Sequence, residues 1–212
     1  MIFTNPLNKI FSQQSKIKLL RFLVQHRGEF TGREIAKSVG LAHPTVHSAL
    51  SDLREQGIIL MRKSGNALLY SLNPRHRVTK DIIVPVFRKE SQLKEKMARS
   101  LITKLSFPLE SVVLFGSIAQ KKEKPTSDID ILVILSNRVD PEKAESEIIS
   151  QGIKFVEEFG NQLSPVIMNL HDFLTRLGNK DKLLSKILDQ GQVIYGKSIT
   201  ELISHAKARR SN

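Results

Sequence analysis

The 212-residue chain contains no cysteine, which excludes disulfides and cysteine-ligated zinc. No run approaches the roughly 18 consecutive apolar residues of a membrane span, so no membrane segment is expected. The start, Met1-Ile2-Phe3-Thr4-Asn5-Pro6, lacks the basic-then-apolar order of a secretory signal, and a cytoplasmic location is expected. No internal repeat or low-complexity tract occurs. The six histidines are scattered; His43 and His47, four apart on a predicted helix, either ligate a metal or face DNA, and DNA is the favoured reading. Acidic residues are outnumbered, 21 Asp+Glu against 33 Lys+Arg, for a formal charge of +12. With 40% hydrophobic and 25% charged residues, the chain fits a soluble globular protein of one or two domains.

The charge is unevenly spread. Residues 1–80 hold 13 Lys+Arg against 4 Asp+Glu, a balance of +9, and residues 81–212 hold 20 against 17, a balance of +3. A small, strongly basic unit favours a polyanionic partner, because each phosphate contact releases condensed counterions.

The helical pattern narrows that partner to DNA. Lys16 to His26 places Ile17, Leu20, Leu23 and Val24 on one helical face, and Arg27-Gly28 stops it. Thr31 caps a second helix, Gly32 to Val39, with Glu34 completing a capping box. After Gly40-Leu41, a third helix runs from about His43 or Pro44 to Gln56 and ends at Gly57. It buries Val46, Ala49, Leu50 and Leu53, and its other face offers Thr45, His47, Ser48, Ser51 and Arg54. Ile58 to Met61 reads as a strand, Arg62-Lys63-Ser64-Gly65-Asn66 as a hairpin tip, and Ala67 to Leu72 as the returning strand. Residues 16–73 resemble winged helix-turn-helix transcriptional regulators, notably in T-x-x-E-I-A and in Ser51 to Ile59. The resemblance implies that Pro44, Thr45, His47, Ser48, Ser51 and Arg54 enter the major groove of double-stranded DNA, with Arg62, Lys63 and Asn66 near the backbone or minor groove. A winged helix used for protein contacts is the alternative, and the positive charge argues against it.

A second pattern lies downstream. Val112 to Phe115 reads as a buried strand, and Gly116-Ser117 as a tight turn into a helix whose free N–H groups hold a phosphate. Ile129 to Leu135 reads as the neighbouring strand. Asp128 and Asp130 then point the same way, a carboxylate pair that repels unless a cation such as Mg²⁺ sits between them. This order, with Leu114-Phe115-Gly116-Ser117 and Asp128-Ile129-Asp130, resembles the nucleotidyltransferase superfamily of DNA polymerase beta and the kanamycin nucleotidyltransferases, most of all its minimal branch. The resemblance covers about residues 110–196. It implies that Gly116 and Ser117 bind nucleotide phosphates, that Asp128 and Asp130 are catalytic ligands of Mg²⁺ or Mn²⁺, and that a nucleoside triphosphate, ATP foremost, is the substrate or ligand.

Two positions depart from the family pattern. The cation that usually follows Gly-Ser is absent, and Lys121, Lys122 or Lys124 is the substitute, Lys121 first. The third family carboxylate belongs on the strand Leu163 to Leu170, where Ser164 stands in its place; Asp172 and Glu157, the nearest acids, lie outside that strand. General-base help is worth about 100- to 10,000-fold in rate, so nucleotide binding is better supported than turnover.

Between the two modules, residues 73–77 form a basic break. Lys80 to Lys104 suits one long helix or two, packed on its own domain or, as the sharper reading, forming a homodimer seam. Pro141 to Phe159 reads as an acidic amphipathic helix, Lys180 to Leu188 as another, and Ile199 to Arg210 as a basic tail helix with His205 at its surface. The expected fold class is α+β: a winged helix-turn-helix domain (1–77), a linker helix (78–106) and a nucleotidyltransferase-fold α/β domain with a mixed sheet (107–212). The expected function is a DNA-binding protein that binds Mg-nucleotide and transfers a nucleotidyl group to an unknown acceptor protein or RNA. The alternatives are an inactive nucleotide-sensing regulator and an antitoxin that transfers AMP to a toxin.

Overall fold

The computed structural model describes residues 1–103 and 105–210, which separate into two units, Met1–Gln92 and Leu93–Asn212. Lys104, at the end of one expected helix, and the side chain of His205 lie outside the described residues.

In the first unit, α1 (Pro6–Ile10), α2 (Gln14–His26), α3 (Gly32–Val39) and α4 (His43–Glu55) precede an antiparallel sheet. Its strands β1 (Phe30–Thr31), β2 (Ile59–Ser64) and β3 (Ala67–Leu72) lie in the order β1-β3-β2. Apolar residues at helical spacing, Leu19, Leu20 and Leu23 from α2 and Val46, Leu50 and Leu53 from α4, meet in one core. The capping box forms as the sequence predicts. Thr31 N–H donates to Glu34 Oε2 at 2.7 Å, and Glu34 N–H donates to Thr31 Oγ1 at 3.2 Å. The residues entering α2 are held by Lys16, only 4% exposed, whose ammonium donates to the Lys9 carbonyl and Ser12 Oγ and pairs with Asp52 on α4 at 2.9 Å.

The wing departs from expectation in length. Ladder pairing continues from Ile59↔Leu72 to Ser64↔Ala67, so Arg62 and Lys63 lie in β2 and only Gly65-Asn66 form the tip. Gly65 takes φ +58°, the left-handed backbone that a two-residue hairpin turn requires at its first position. The short strand β1 and helix α1 have no counterpart in the periodicity, since two to five residues are too few to show one.

Residues 78–106 do not form a single linker helix. A π-helix (Thr79–Ile83) and α5 (Val84–Ser91) pack into the first core through Ile83 and Phe87, and Arg21 of α2 grips Glu90 with two hydrogen bonds. Helix α6 (Leu93–Ile102) instead sends Met97 and Leu101 into a core of the second unit. The apolar stripe is therefore divided between two cores.

The second unit has a four-stranded sheet in the order β6-β5-β4-β7, built from β4 (Leu109–Leu114), β5 (Ile129–Leu135), β6 (Leu163–Asn169) and β7 (Gln192–Gly196). β5 pairs parallel with β6, and the other pairs are antiparallel, giving a mixed sheet. Alternation along β5 divides its side chains cleanly. Ile129, Ile131 and Val133 face the layer of α6 and α8 (Pro141–Phe159), whereas Leu132 and Ile134 face α9 (Leu170–Gly178), α10 (Lys182–Gln190) and α11 (Ile199–Arg210). The molecule is thus α+β, a helical unit with a three-stranded antiparallel sheet followed by a unit with a mixed four-stranded sheet between helical layers.

Candidate nucleotide site and nucleic-acid interface

The carboxylate pair sits where two strands meet a turn. β4 runs out at Leu114, Phe115 N–H donates to the Asp130 carbonyl at 2.9 Å, and Gly116 opens the four-residue helix α7 (Gly116–Ala119). Gly116 has φ +69°, and a Cβ on it would lie 2.0 Å from Asp130 Oδ2. Only glycine fits, because the Asp130 carboxylate occupies the space a side chain would need. Asp128, two residues earlier, is exposed at the entrance to β5, and Asp130 is half-buried. Burial pushes the Asp130 carboxyl above the usual carboxylate range, and the charge of Asp128 pushes it the same way.

The loop before Asp128 is braced by Asn161. Its amide donates to the carbonyls of Pro125 at 2.9 Å and Ser127 at 2.8 Å, and Lys124 N–H donates to Ser127 Oγ. Nothing in the local sequence flags Asn161, which lies more than 30 residues downstream. A cavity of about 380 Å³ borders Asp130, Gly116 and Ser117. Its far wall is α10, which contributes Lys186 and Gln190, and its near side includes Gln120 and Lys122. Lys121 does not line it; at φ +58° it ends α7 in the left-handed conformation, and Lys122 follows into the cavity wall. Gln120 Nε2 bonds Gln190 Oε1, joining the two walls.

The register of β6 locates the third family position. Asp130 pairs with Ser164 in the parallel ladder, so the exposed Ser164 shares the face and level of Asp130. Neither alternative acid reaches it. Asp172 lies in α9 beyond the far end of β6, roughly 17 Å away at about 3.3 Å per residue. Glu157 belongs to α8, which covers the opposite face of the sheet. Among the described residues no cluster of three or more His, Cys, Asp or Glu side chains could hold a metal. Two adjacent carboxylates with one raised pKa, beside a turn that admits no side chain, still fit a divalent cation that brings phosphate oxygens and water as its remaining ligands.

The residues proposed to face DNA are placed together on the first unit. Pro44, Thr45, His47, Ser48 and Arg54 are exposed along α4, with Ser51 half-buried, and Lys63 and Asn66 are exposed on the wing. The His43 and His47 rings stand 6.5 Å apart. Two of the cations are engaged: Arg62 pairs with Glu29, which holds that carboxyl below its usual range, and Arg54 Nη1 contacts Met61 Sδ at 3.2 Å.

The family described as Polymerase beta, Nucleotidyltransferase matches residues 95–200, half of the chain. The chain belongs to the polymerase beta nucleotidyltransferase family. Its match spans the Gly116–Ser117 turn, both aspartates and α10, and membership implies a nucleotide substrate and usually a divalent metal. Residues 17–60 match the IclR helix-turn-helix domain. The chain is 31% identical over 93 residues to a Methanocaldococcus jannaschii protein named as a candidate protein adenylyltransferase. That alignment covers 42% of the chain, and the chain spans 60% of the length of the curated relative. Among solved structures, the transcriptional repressor BigR from Xylella fastidiosa is 25% identical over 42% of this chain and 82% of its own, with a TM-score of 0.35. HlyU from Vibrio cholerae is 21% identical over 43% and 100%, with a TM-score of 0.37. A toxin-antitoxin crystallised with AMP-PNP is 20% identical over 56% and 90%, also at 0.37.

Proposed function

We propose that the chain is a DNA-binding protein whose second unit takes Mg-ATP and transfers the adenylyl group to a hydroxyl of an acceptor protein. The observation that carries this reading is the Asp130 carboxylate seated against Gly116 beside Asp128. Asp128 and Asp130 would hold Mg²⁺, or Mn²⁺, whose charge stabilises the phosphates during transfer. Gly116 keeps the turn open to phosphate oxygens, and the Ser117 hydroxyl donates to them. Lys122 and Lys186, on two sides of the cavity, supply the positive charge expected of Lys121.

In the transfer, the acceptor oxygen bonds to the α-phosphorus, the bond to the α–β bridging oxygen breaks, and pyrophosphate leaves with the electron pair. The acceptor proton passes to solvent, since Ser164 stands where a carboxylate would take it. The similarity to the Methanocaldococcus jannaschii relative supports the adenylyl group and the protein acceptor. A toxin as that acceptor would make the protein an AMP-transferring antitoxin. In the first unit, α4 reads the major groove with Pro44, Thr45, His47, Ser48, Ser51 and Arg54, while Arg62, Lys63 and Asn66 track the backbone or minor groove.

Ser164 also favours a second reading, in which the protein senses nucleotide without turnover. One assay separates the two. Purified protein and an Asp128→Ala/Asp130→Ala control are incubated with α-labelled ATP, CTP, GTP or UTP, Mg²⁺ or Mn²⁺, and the protein itself, tRNA or cell extract as acceptor. Label that depends on the aspartates and on ATP, carried by a protein, supports adenylyl transfer; label on tRNA moves the acceptor to RNA. Nucleotide binding without label supports sensing, and undiminished binding by the double variant removes the metal site.

A further inference from the structure

A cavity of about 830 Å³ lies within the first unit, and none of the residues assigned above to nucleotide or metal lines it. It is bounded by the end of α2, strands β2 and β3, the π-helix and the start of α5. Its volume falls within the roughly 300–1,000 Å³ of small-molecule sites. Leu23, Val24 and Leu72 give it an apolar wall continuous with the first core.

The charges around this wall are predominantly positive. Arg27, Lys80 and Arg88 reach it from three segments, and no hydrogen bond or ion pair engages their side chains among the described residues. Elsewhere in this unit Arg21 is engaged by Glu90, Arg62 by Glu29 and Arg77 by Asp81, whereas the side chains of Arg33 and Arg75 are, among the described residues, as free of protein partners as the three at the cavity. Glu29 is the one acid in the described lining, and Arg62 already takes its carboxylate. Three unpaired cations around one cavity raise the local potential and attract an anion.

Two further features mark the same place. Thr79, 1% exposed in the cavity wall, keeps its Oγ1 without a hydrogen-bond partner. Unpaired buried hydroxyls are uncommon in folded proteins. Arg27 takes φ +37°, strained for a residue with a side chain, and Thr79 and Lys80 belong to a π-helix. Both kinds of irregularity cluster at ligand sites.

We propose that this cavity binds a small organic carboxylate, its anionic end held by Arg27, Lys80 and Arg88 and its apolar body against Leu23, Val24 and Leu72. An inorganic anion would leave the apolar wall uncovered, and a neutral ligand would leave the cations uncompensated. DNA phosphates are the rival partner for the three cations, yet they have no apolar part to fill the wall.

Calorimetric titration of the full chain with 4-phenylbutyrate, using 4-phenylbutanol as the neutral counterpart, tests the site. The expected result is saturable binding of the acid, weakened roughly tenfold or more in the alcohol and in the variant Arg27→Gln/Lys80→Gln/Arg88→Gln. Arg88→Lys, which keeps the charge, retains binding, and melting curves verify that each variant is folded. The proposal is overturned by no saturable binding, by equal affinity for the alcohol, or by a folded triple variant that binds the acid normally. A triple variant that keeps the acid but loses DNA affinity overturns it too and assigns the cations to DNA.

Discussion

The winged helix and the nucleotidyltransferase site treat their charges in opposite ways. On the first unit, Lys16 is tied to Asp52, Arg21 to Glu90 and Arg62 to Glu29, so part of its positive charge is held in place by acids of the same unit. In the second, Asp128 and Asp130 stand two residues apart at the start of β5, and burial and repulsion raise the Asp130 pKa. The contrast is physical rather than compositional. A paired surface charge contributes little stability but fixes the geometry of the side chain, whereas an unpaired, half-buried carboxylate costs the fold and is relieved when a cation arrives.

The contrast can be broken most severely at Gly116. Gly116→Ala puts a methyl 2.0 Å from Asp130 Oδ2 at a positive φ, so Mg-nucleotide affinity is expected to fall about 100-fold or more, with a stability loss of about 1–3 kcal/mol. Equilibrium dialysis and thermal melting measure the two effects, and normal nucleotide affinity would show that the turn tolerates a side chain. On the basic side, Arg54→Ala and Lys63→Ala are each expected to weaken DNA binding and lower its salt slope by about 1. Binding unchanged across salt in both would count against the DNA-facing assignment of α4 and the wing. Glu29→Gln sharpens the comparison, because it frees Arg62. DNA affinity is then expected to rise about two- to fivefold at low salt and converge with the parent at high salt, as filter binding would reveal.

Smaller effects concern pH and stability. Asp130→Asn removes the raised carboxylate while keeping its shape, so the fold is expected to become slightly more stable at neutral pH even as nucleotide binding is lost. A lower melting temperature would mean the charge is compensated. Asp181, which caps α10 and binds Arg176, behaves oppositely. The Leu184 N–H foremost, then Arg176, holds its pKa below the usual range. Its contribution is therefore present above the unfolded pKa of about 3.9 and lost as pH falls through the lower folded value. In acid melting curves Asp181→Asn should flatten this pH dependence, and an unchanged slope would remove the cap from the account of how α10 is held beside the site.

Much of both units was legible from periodicity and punctuation. The spans Gly32–Val39, Ala67–Leu72, Ile129–Leu135 and Pro141–Phe159 agree with the observed elements residue for residue, because each is bounded by a capping residue, glycine, proline or the end of an apolar run. The wing was harder. Arg62-Lys63-Ser64 is polar enough to read as a loop, yet the ladder with Ala67 to Leu69 carries it into β2. The linker is ambiguous for a related reason. A single apolar stripe from residue 80 onward carries no mark of which of its turns belong to which core.

What the sequence alone determined is local chemistry: a glycine and a serine after a buried strand, two aspartates on one face of the next, a capping box, and a basic first third. These follow from side-chain type and from periods of 2 and 3.6 residues, which survive without any knowledge of distant neighbours. The tertiary structure alone decided which distant groups join them. It set Ser164 level with Asp130, brought Lys186 and Gln190 of α10 to the cavity, placed Lys122 rather than Lys121 there, and braced Asp128's loop with Asn161. Strand order and helix packing create those juxtapositions by burying apolar faces that are blind to the polar residues they carry along.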